Sequence, residues 1–450
     1  MAQPSSVEKL GYKQELKRSL SFWDLLIYGL IFMVPIAPFG IYGDVVTASK
    51  GMVALAYLIG MVGMIFTALS YARMSEAFPI AGSVYAYAGK GINPYVGFVA
   101  GWSILLDYIL IPALLYVVSA QALTGMIPGV PSWIWLVVFI LINTIINYFG
   151  IEFTAKANIV ILIFELIVLA LFIVIGIVAI AKGINGAEFS FKPLYDPDYF
   201  SMHLVMGAVS IAVLSFLGFD AISTLSEETK GGVKSVGRAT IASLVIVGVL
   251  FMVQTWVAAL IFPDFNSFDD IGTAFYQVAD IAGGGWLGNL TAVATAIAWG
   301  IADALVAQAA ISRVLYSMAR DRKLPKGLAK VHPKYKTPYV STVIVAVISL
   351  IVGLAFISNV GVLSSFVNFG ALTAFLFLHV SVFVHYILKN KSKDYWNHFI
   401  LPLIGFIIIG YVWLSLATQA KLLGLSWLAI GVIIAIVLAV RGKETTLEID

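Results

Sequence analysis

Apolar runs of about twenty residues follow one another along almost the whole chain, each ended by charges, Pro or Gly. That length lets a helix rising 1.5 Å per residue cross the hydrocarbon core of a bilayer. The runs are near-continuous rather than alternating ten-residue segments, so they read as helices and not as barrel strands. With 61% hydrophobic and 11% charged residues over 450 positions, a water-soluble fold would leave much of its core exposed. The expected fold class is an all-α membrane protein. Twelve transmembrane helices can be placed, at about 21–46, 52–72, 93–126, 131–150, 155–182, 203–226, 236–262, 286–318, 338–358, 361–388, 396–417 and 422–441. No connecting loop much exceeds about twenty residues, too short for a second domain, so 21–441 is expected to form a single transmembrane domain between polar tails 1–20 and 442–450.

Charge gives this bundle an orientation. Of the 27 lysines and arginines, all but Lys50, Lys182, Lys192 and Lys421 fall in the tails and in the loops on one side. The positive-inside rule then predicts a multi-pass plasma-membrane protein with both termini cytoplasmic. The first twenty residues have neither the apolar core nor the cleavage site of a secretory signal, so the first span is expected to do the targeting. The basic stretch from Arg320 to Lys336 could attract anionic lipid, although a topogenic loop explains it more simply.

Several chemistries are missing from the sequence. There is no cysteine, hence no disulfide, thiolate ligand or cysteine nucleophile. No phosphate loop, nucleophile elbow or His/Asp/Glu set at metal-ligand spacing is present. No enzyme activity, cofactor, metal, nucleic acid or obligatory protein partner is therefore expected.

Two spans contain residues that a plain lipid-crossing helix has no use for. The first reads V-P-I-A-P-F-G-I-Y-G over 34–43, and its two prolines each remove a helical N–H and clash with the preceding turn. The sixth reads L-S-F-L-G-F-D-A-I-S-T-L-S-E-E-T over 214–229, with Gly218 weakening the helix beside Asp220. A carboxylate at membrane depth costs roughly 2.5–3.5 kcal/mol even on the lenient insertion scale, so a cation, a proton or a partner charge must offset it. Exposed backbone at such breaks is tolerated only against protein or a wet cavity. Interrupted spans at corresponding places in two halves, five apart, mark a transporter of inverted repeats with its site at the breaks. A kinked helix in a channel or a ligand sensor is the competing reading. A channel predicts flux that does not saturate; a sensor predicts binding with no flux.

The intramembrane acids are Asp107, Glu165, Asp220 and Asp303, whereas the only basic candidates, His203 and His379, sit near span ends. Such an excess of acid suits a carrier of organic cations that also exchanges protons. A diamine needs an anionic anchor for each end and an apolar or aromatic wall for its stem. Asp220 is the first candidate anchor, with Phe216, Gly218 and Phe219 around it and Pro38, Phe39 and Gly40 at the other break. Asp107 with Tyr108, Glu165 or Asp303 are candidates for the second. Trp299 and Asp303, four residues apart, are expected on one helix face. Trp102 reads more simply as packing, and Asp24 as a helix cap or charge partner. Glu227 and Glu228, beside Lys230 and Lys234, read as a solvated helix end ahead of a gate. Span eight is dense in small residues, which permits close helix approach.

Three motifs, F-P-I-A-G-S-V-Y-A-Y (78–87), G-F-D-A-I-S-T-L-S-E-E-T (218–229) and S-R-V-L-Y-S-M-A-R-D (312–321), resemble the amino acid, polyamine and organocation transporter family. Their spacing fits over nearly the whole chain. G-I-N-P-Y-V-G-F-V-A-G-W-S-I-L-L-D-Y (91–108) is similar to the bacterial putrescine importers of that family. The resemblance implies a LeuT-like fold of five plus five inverted repeats, about 21–182 and 203–388, with two further helices at about 396–441. It also implies alternating access around broken helices 1 and 6, a cationic substrate contacting Asp220, and coupling to protons or exchange. Putrescine or a related polyamine comes first, an amino acid second. Two departures bear on this. Amino acid carriers of the family usually hold the substrate carboxylate on a Gly-small-Gly turn, where this chain has Ala37-Pro38-Phe39-Gly40. Many proton-coupled members carry a lysine where Glu165 stands, leaving Glu165 as a hypothetical coupling carboxylate.

Overall fold

A computed structural model describes residues 20–78, 84–150, 155–230, 232–320 and 325–440. Residues 1–19 and 441–450, residues 79–83 of the first motif, Asp321 of the third, and the Glu227 and Glu228 side chains lie outside what is described. Among the described residues the chain is helical, with a single isolated bridge between Leu20 and Thr229. Ten helices are long and apolar enough to cross a membrane, and the bent pair Phe22–Met33 and Pro38–Ala48 adds one more. The sixth expected position holds a shorter apolar helix, Met202–Phe216. The loop expected over 263–285 contains a further helix, Ala274–Gly283.

The first span starts on a capping box. Ser21 accepts from the Asp24 amide and the Asp24 carboxylate accepts from the Ser21 amide, which satisfies N–H groups that otherwise have no helical partner. The helix stops at Met33, one residue before Val34 with φ 46°, because Pro35 disfavours helical backbone in the residue before it. Pro38 then starts the second segment, where its missing N–H is no loss, and the axis turns by 59°.

The sixth span breaks through glycine instead. Leu217 is extended and Gly218 has φ +101°, after which a 3₁₀ segment runs from Phe219 to Glu228. A Cβ on Gly218 would stand 2.9 Å from the carbonyl oxygen of Phe32. The two breaks therefore touch, and only a residue without a side chain fits between them.

A third irregularity is not visible in the sequence. Span eight runs as Gly285–Ile297, a π segment Ala298–Asp303, and Ala304–Arg320. A π turn shifts the hydrogen-bond ladder and frees a carbonyl, and such turns recur at functional sites.

Buried amide side chains take up the freed carbonyls. Gln254 Nε2 donates to Pro35 O over 3.0 Å at the first break, and Asn368 Nδ2 to Ser210 O over 2.8 Å ahead of the second. Asn143 Nδ2 donates to Gly300 O over 2.7 Å within the π turn, and the half-buried Asn147 Nδ2 to Leu305 O over 3.1 Å just after it. A buried backbone group left without a partner would cost about 1–3 kcal/mol, so these residues are what make the irregular backbone tolerable.

Around this centre, the second span, Val53–Ala77, packs along Gly232–Ile261, and the long third, Pro94–Met126, packs along Val360–Val382. Thr418–Val440 is clasped to the third span by two indoles. Trp102 Nε1 donates to Trp427 O and Trp427 Nε1 to Trp102 O, both at 2.8 Å, with the rings stacked 4.6 Å apart.

Candidate functional site

Beside the contact of the two breaks lies a cavity of about 210 Å³. Phe32 and Leu217–Gly218 supply the break side, and Asp220 follows from the 3₁₀ segment. Span three adds Ile104, Asp107, Tyr108 and Ile111; span eight adds Asp303, Ala307 and Ala310; span ten adds Ala371 and Phe375. Three carboxylates thus enter one hollow whose remaining wall is largely aliphatic, and among the described residues no Lys, Arg or His lines it. Close packing places Asp107. A Cβ on Gly370 would stand 2.7 Å from Ser103 O and 2.9 Å from the Asp107 amide, so span ten lies directly against this turn of span three.

Asp220 accepts from the Tyr71 hydroxyl at 3.3 Å, with the amides of Gly218 and Asp220 itself as further polar neighbours. Asp107 is 5% exposed, and its Oδ1 has no hydrogen-bond partner among the described residues. A buried acceptor without a donor is costly, and an ammonium group in the cavity would supply one.

Asp107, Tyr108, Gly218, Asp220 and Asp303 are therefore brought together. Glu165 opens onto an adjoining crevice of about 30 Å³ whose wall also includes Asp303, Phe32 and Val34. The other expected residues lie elsewhere. Phe216 is fully buried against Tyr57 and Phe251, and Phe219 against Tyr71 and Phe375. Phe39 stacks on Phe275 at 3.9 Å, and Pro38 and Gly40 are buried, the latter against Val118. None of these lines the cavity.

Trp299 does not line the cavity with Asp303, although the two are four residues apart in the π turn. It packs instead near Gly40, out of the cavity. His379 is not near a span end as expected. It lies well inside the expected tenth span, 361–388, buried between Ser70 Oγ (2.9 Å) and Thr67 Oγ1 (3.3 Å).

Sequence reasoning missed Tyr71 and the amide clamps, whose partners lie more than a hundred residues away in the chain. It also missed a larger vestibule of about 580 Å³ at the end of the bundle opposite Leu20, among the helix ends near Ala48, Ile357 and Ser415. Asp44 and Asp270 line it, again with no Lys, Arg or His among the described residues. Between vestibule and cavity lie the buried residues 366–370 of span ten and 112–120 of span three, a plug of about 9 to 15 Å at 1.5 Å per residue.

A polytopic helical protein with backbone broken around an acidic internal cavity belongs to the class of solute carriers, not of enzymes. A family model described as amino acid permease matches residues 20–440. The chain belongs to that family, within the amino acid, polyamine and organocation transporters. It is 32% identical over 426 residues to the low-affinity putrescine importer PlaP of Escherichia coli strain K12, covering 93% of each chain. It is 27% identical over 449 residues to the branched-chain amino acid permease BcaP of Bacillus subtilis strain 168, covering 94% of this chain and 93% of that one. The methylthioribose transporter of the same organism is 27% identical over 454 residues, covering 94% and 92%. This protein is a transporter of amine or amino acid solutes embedded in the membrane by multiple passes.

Proposed function

We propose that this transporter imports a small diamine, putrescine or a close relative, by alternating access, with Asp220 as the principal amine ligand. The observation that carries this reading is the polarity of the cavity: three acids, no base among the described residues, and an aliphatic wall suited to a methylene stem. Among the described residues a substrate carboxylate has no cationic donor to meet there. At the first break the amides of Ala37, Phe39 and Gly40 are already bonded to the carbonyls of Val34, Ile36 and Ala37, and Pro38 has none. Similarity to the putrescine importer supports the same order of substrates.

In this reading spans one to five and six to ten are inverted repeats that rock about the touching breaks, and residues 21–441 act as one transport domain. Both termini are cytoplasmic, and the vestibule near Asp44 opens outside. Asp107 and Asp303 are placed to receive the second ammonium. Glu165 couples the cycle to protons, by co-transport or by exchange. No further protein is required.

Similarity to the branched-chain amino acid permease favours a second reading, a proton-coupled amino acid permease. A competition panel in proteoliposomes separates the two. Unlabelled putrescine is expected to displace labelled putrescine while neutral amino acids do not. The opposite order reverses the assignment.

A further inference from the structure

Among the described residues, Asp303 is the one titratable side chain that lines both the cavity and the Glu165 crevice. Phe32 and Val306 complete the shared wall, so the two hollows meet at an acid framed by apolar groups. The crevice, at about 30 Å³, has room for nothing much larger than a water molecule. Glu165 is 4% exposed, its Oε2 has no hydrogen-bond partner among the described residues, and its electrostatic neighbour is Asp303. Asp303 therefore shares one hollow with Glu165 from span five and the other with Asp107 and Tyr108 from span three and Asp220 from span six, and among the described residues neither lining has a basic group. Its own position is fixed on both sides, since Asn143 holds the Gly300 carbonyl and Asn147 the Leu305 carbonyl.

We propose that Asp303 makes proton binding and amine binding mutually exclusive, so that the proton is exchanged for the solute instead of travelling with it. This rests on the reading above that an ammonium occupies the cavity and that Glu165 takes part in coupling. A proton held between Glu165 and Asp303, and an ammonium held between Asp303 and Asp220, draw on the same carboxylate. Arrival of the ammonium releases the proton to solvent, and departure of the ammonium allows one to return. No bond other than the carboxyl O–H is made or broken.

The test is proton release from the purified full chain in weakly buffered detergent solution, read with a pH-indicator dye as putrescine is added. Binding is expected to release protons, and affinity to fall about tenfold per pH unit over the acidic range in which release is seen. Asp303→Asn is expected to bind more weakly, with neither release nor pH dependence. Should that variant misfold, Glu165→Gln keeps Asp303 in the cavity and is expected to bind amine while losing most of the pH dependence. Proton uptake on binding, putrescine binding without release, or an unchanged pH profile in either folded variant overturns the inference. Release on adding leucine with no response to putrescine keeps it and overturns the diamine reading instead.

Discussion

The hydroxyl of Tyr71 donates to Asp220 Oδ2 across 3.3 Å, joining the second span to the irregular half of the sixth. The same ring meets Phe219 and Phe375 edge-on, with centroids 5.7 and 6.0 Å away, so the hydroxyl is aimed by packing. Tyr71→Phe keeps that packing and removes one hydrogen bond to a charged acceptor, worth about 1.5–3 kcal/mol. Part of that loss should appear in substrate binding, as a KM raised about 5- to 20-fold with a smaller change in maximal rate. An unchanged KM assigns Tyr71 to packing alone.

Gly218→Ala should be more damaging than any aromatic change nearby. It forces a side chain into φ +101° and presses a methyl group against Phe32 O, where 2.9 Å is available. Strain of this kind costs about 1–3 kcal/mol and falls on the contact between the two breaks. The expected result is a lower unfolding temperature together with lost transport, measured by thermal denaturation and proteoliposome uptake. A fully active Gly218→Ala protein contradicts the touching breaks.

The amide clamps and the indole clasp should separate stability from specificity. Asn143→Leu leaves the Gly300 carbonyl buried without its donor, at a cost of about 1–3 kcal/mol, and loosens span eight beside Asp303. Both thermal stability and substrate affinity should fall. Trp102→Phe removes one hydrogen bond, to Trp427 O, and neither indole lines the cavity. It should lower stability by about 1 kcal/mol and leave the competition pattern among amines as it was. A changed pattern places the twelfth span in substrate selection.

Asp44 and Asp270 give the vestibule a negative field without a base to cancel it. Fields of this sign attract cations toward an entrance and are screened by salt. Replacing both with Asn should raise KM for a dication several-fold at low ionic strength, and the difference should shrink toward physiological salt. Equilibrium affinity of the inner cavity should hold steady in a detergent binding assay at physiological salt.

Hydropathy placed the helical bundle because lipid crossing demands about twenty apolar residues wherever it occurs. Pro35, Pro38 and Gly218 gave away both breaks, since each acts on backbone it occupies. Asp107 and Asp303 were noticeable as misplaced charges, yet their meeting in one hollow depends on helix packing. Phe39, Phe216 and Phe219 show the limit of proximity in sequence. Each flanks a break, and each points into the core and away from the cavity. The π turn at 298–303 has no compositional signature, because any helix of this make-up reads as regular until its carbonyls are followed to Asn143 and Asn147.

The central claim is that a buried acid beside touching breaks receives a positively charged solute. Its most direct test is equilibrium binding of radiolabelled putrescine to purified wild-type and Asp220→Asn protein, with folding of both checked by thermal denaturation. Saturable binding by the wild type and none by a folded Asp220→Asn protein is the predicted result. Equal binding by the two contradicts it.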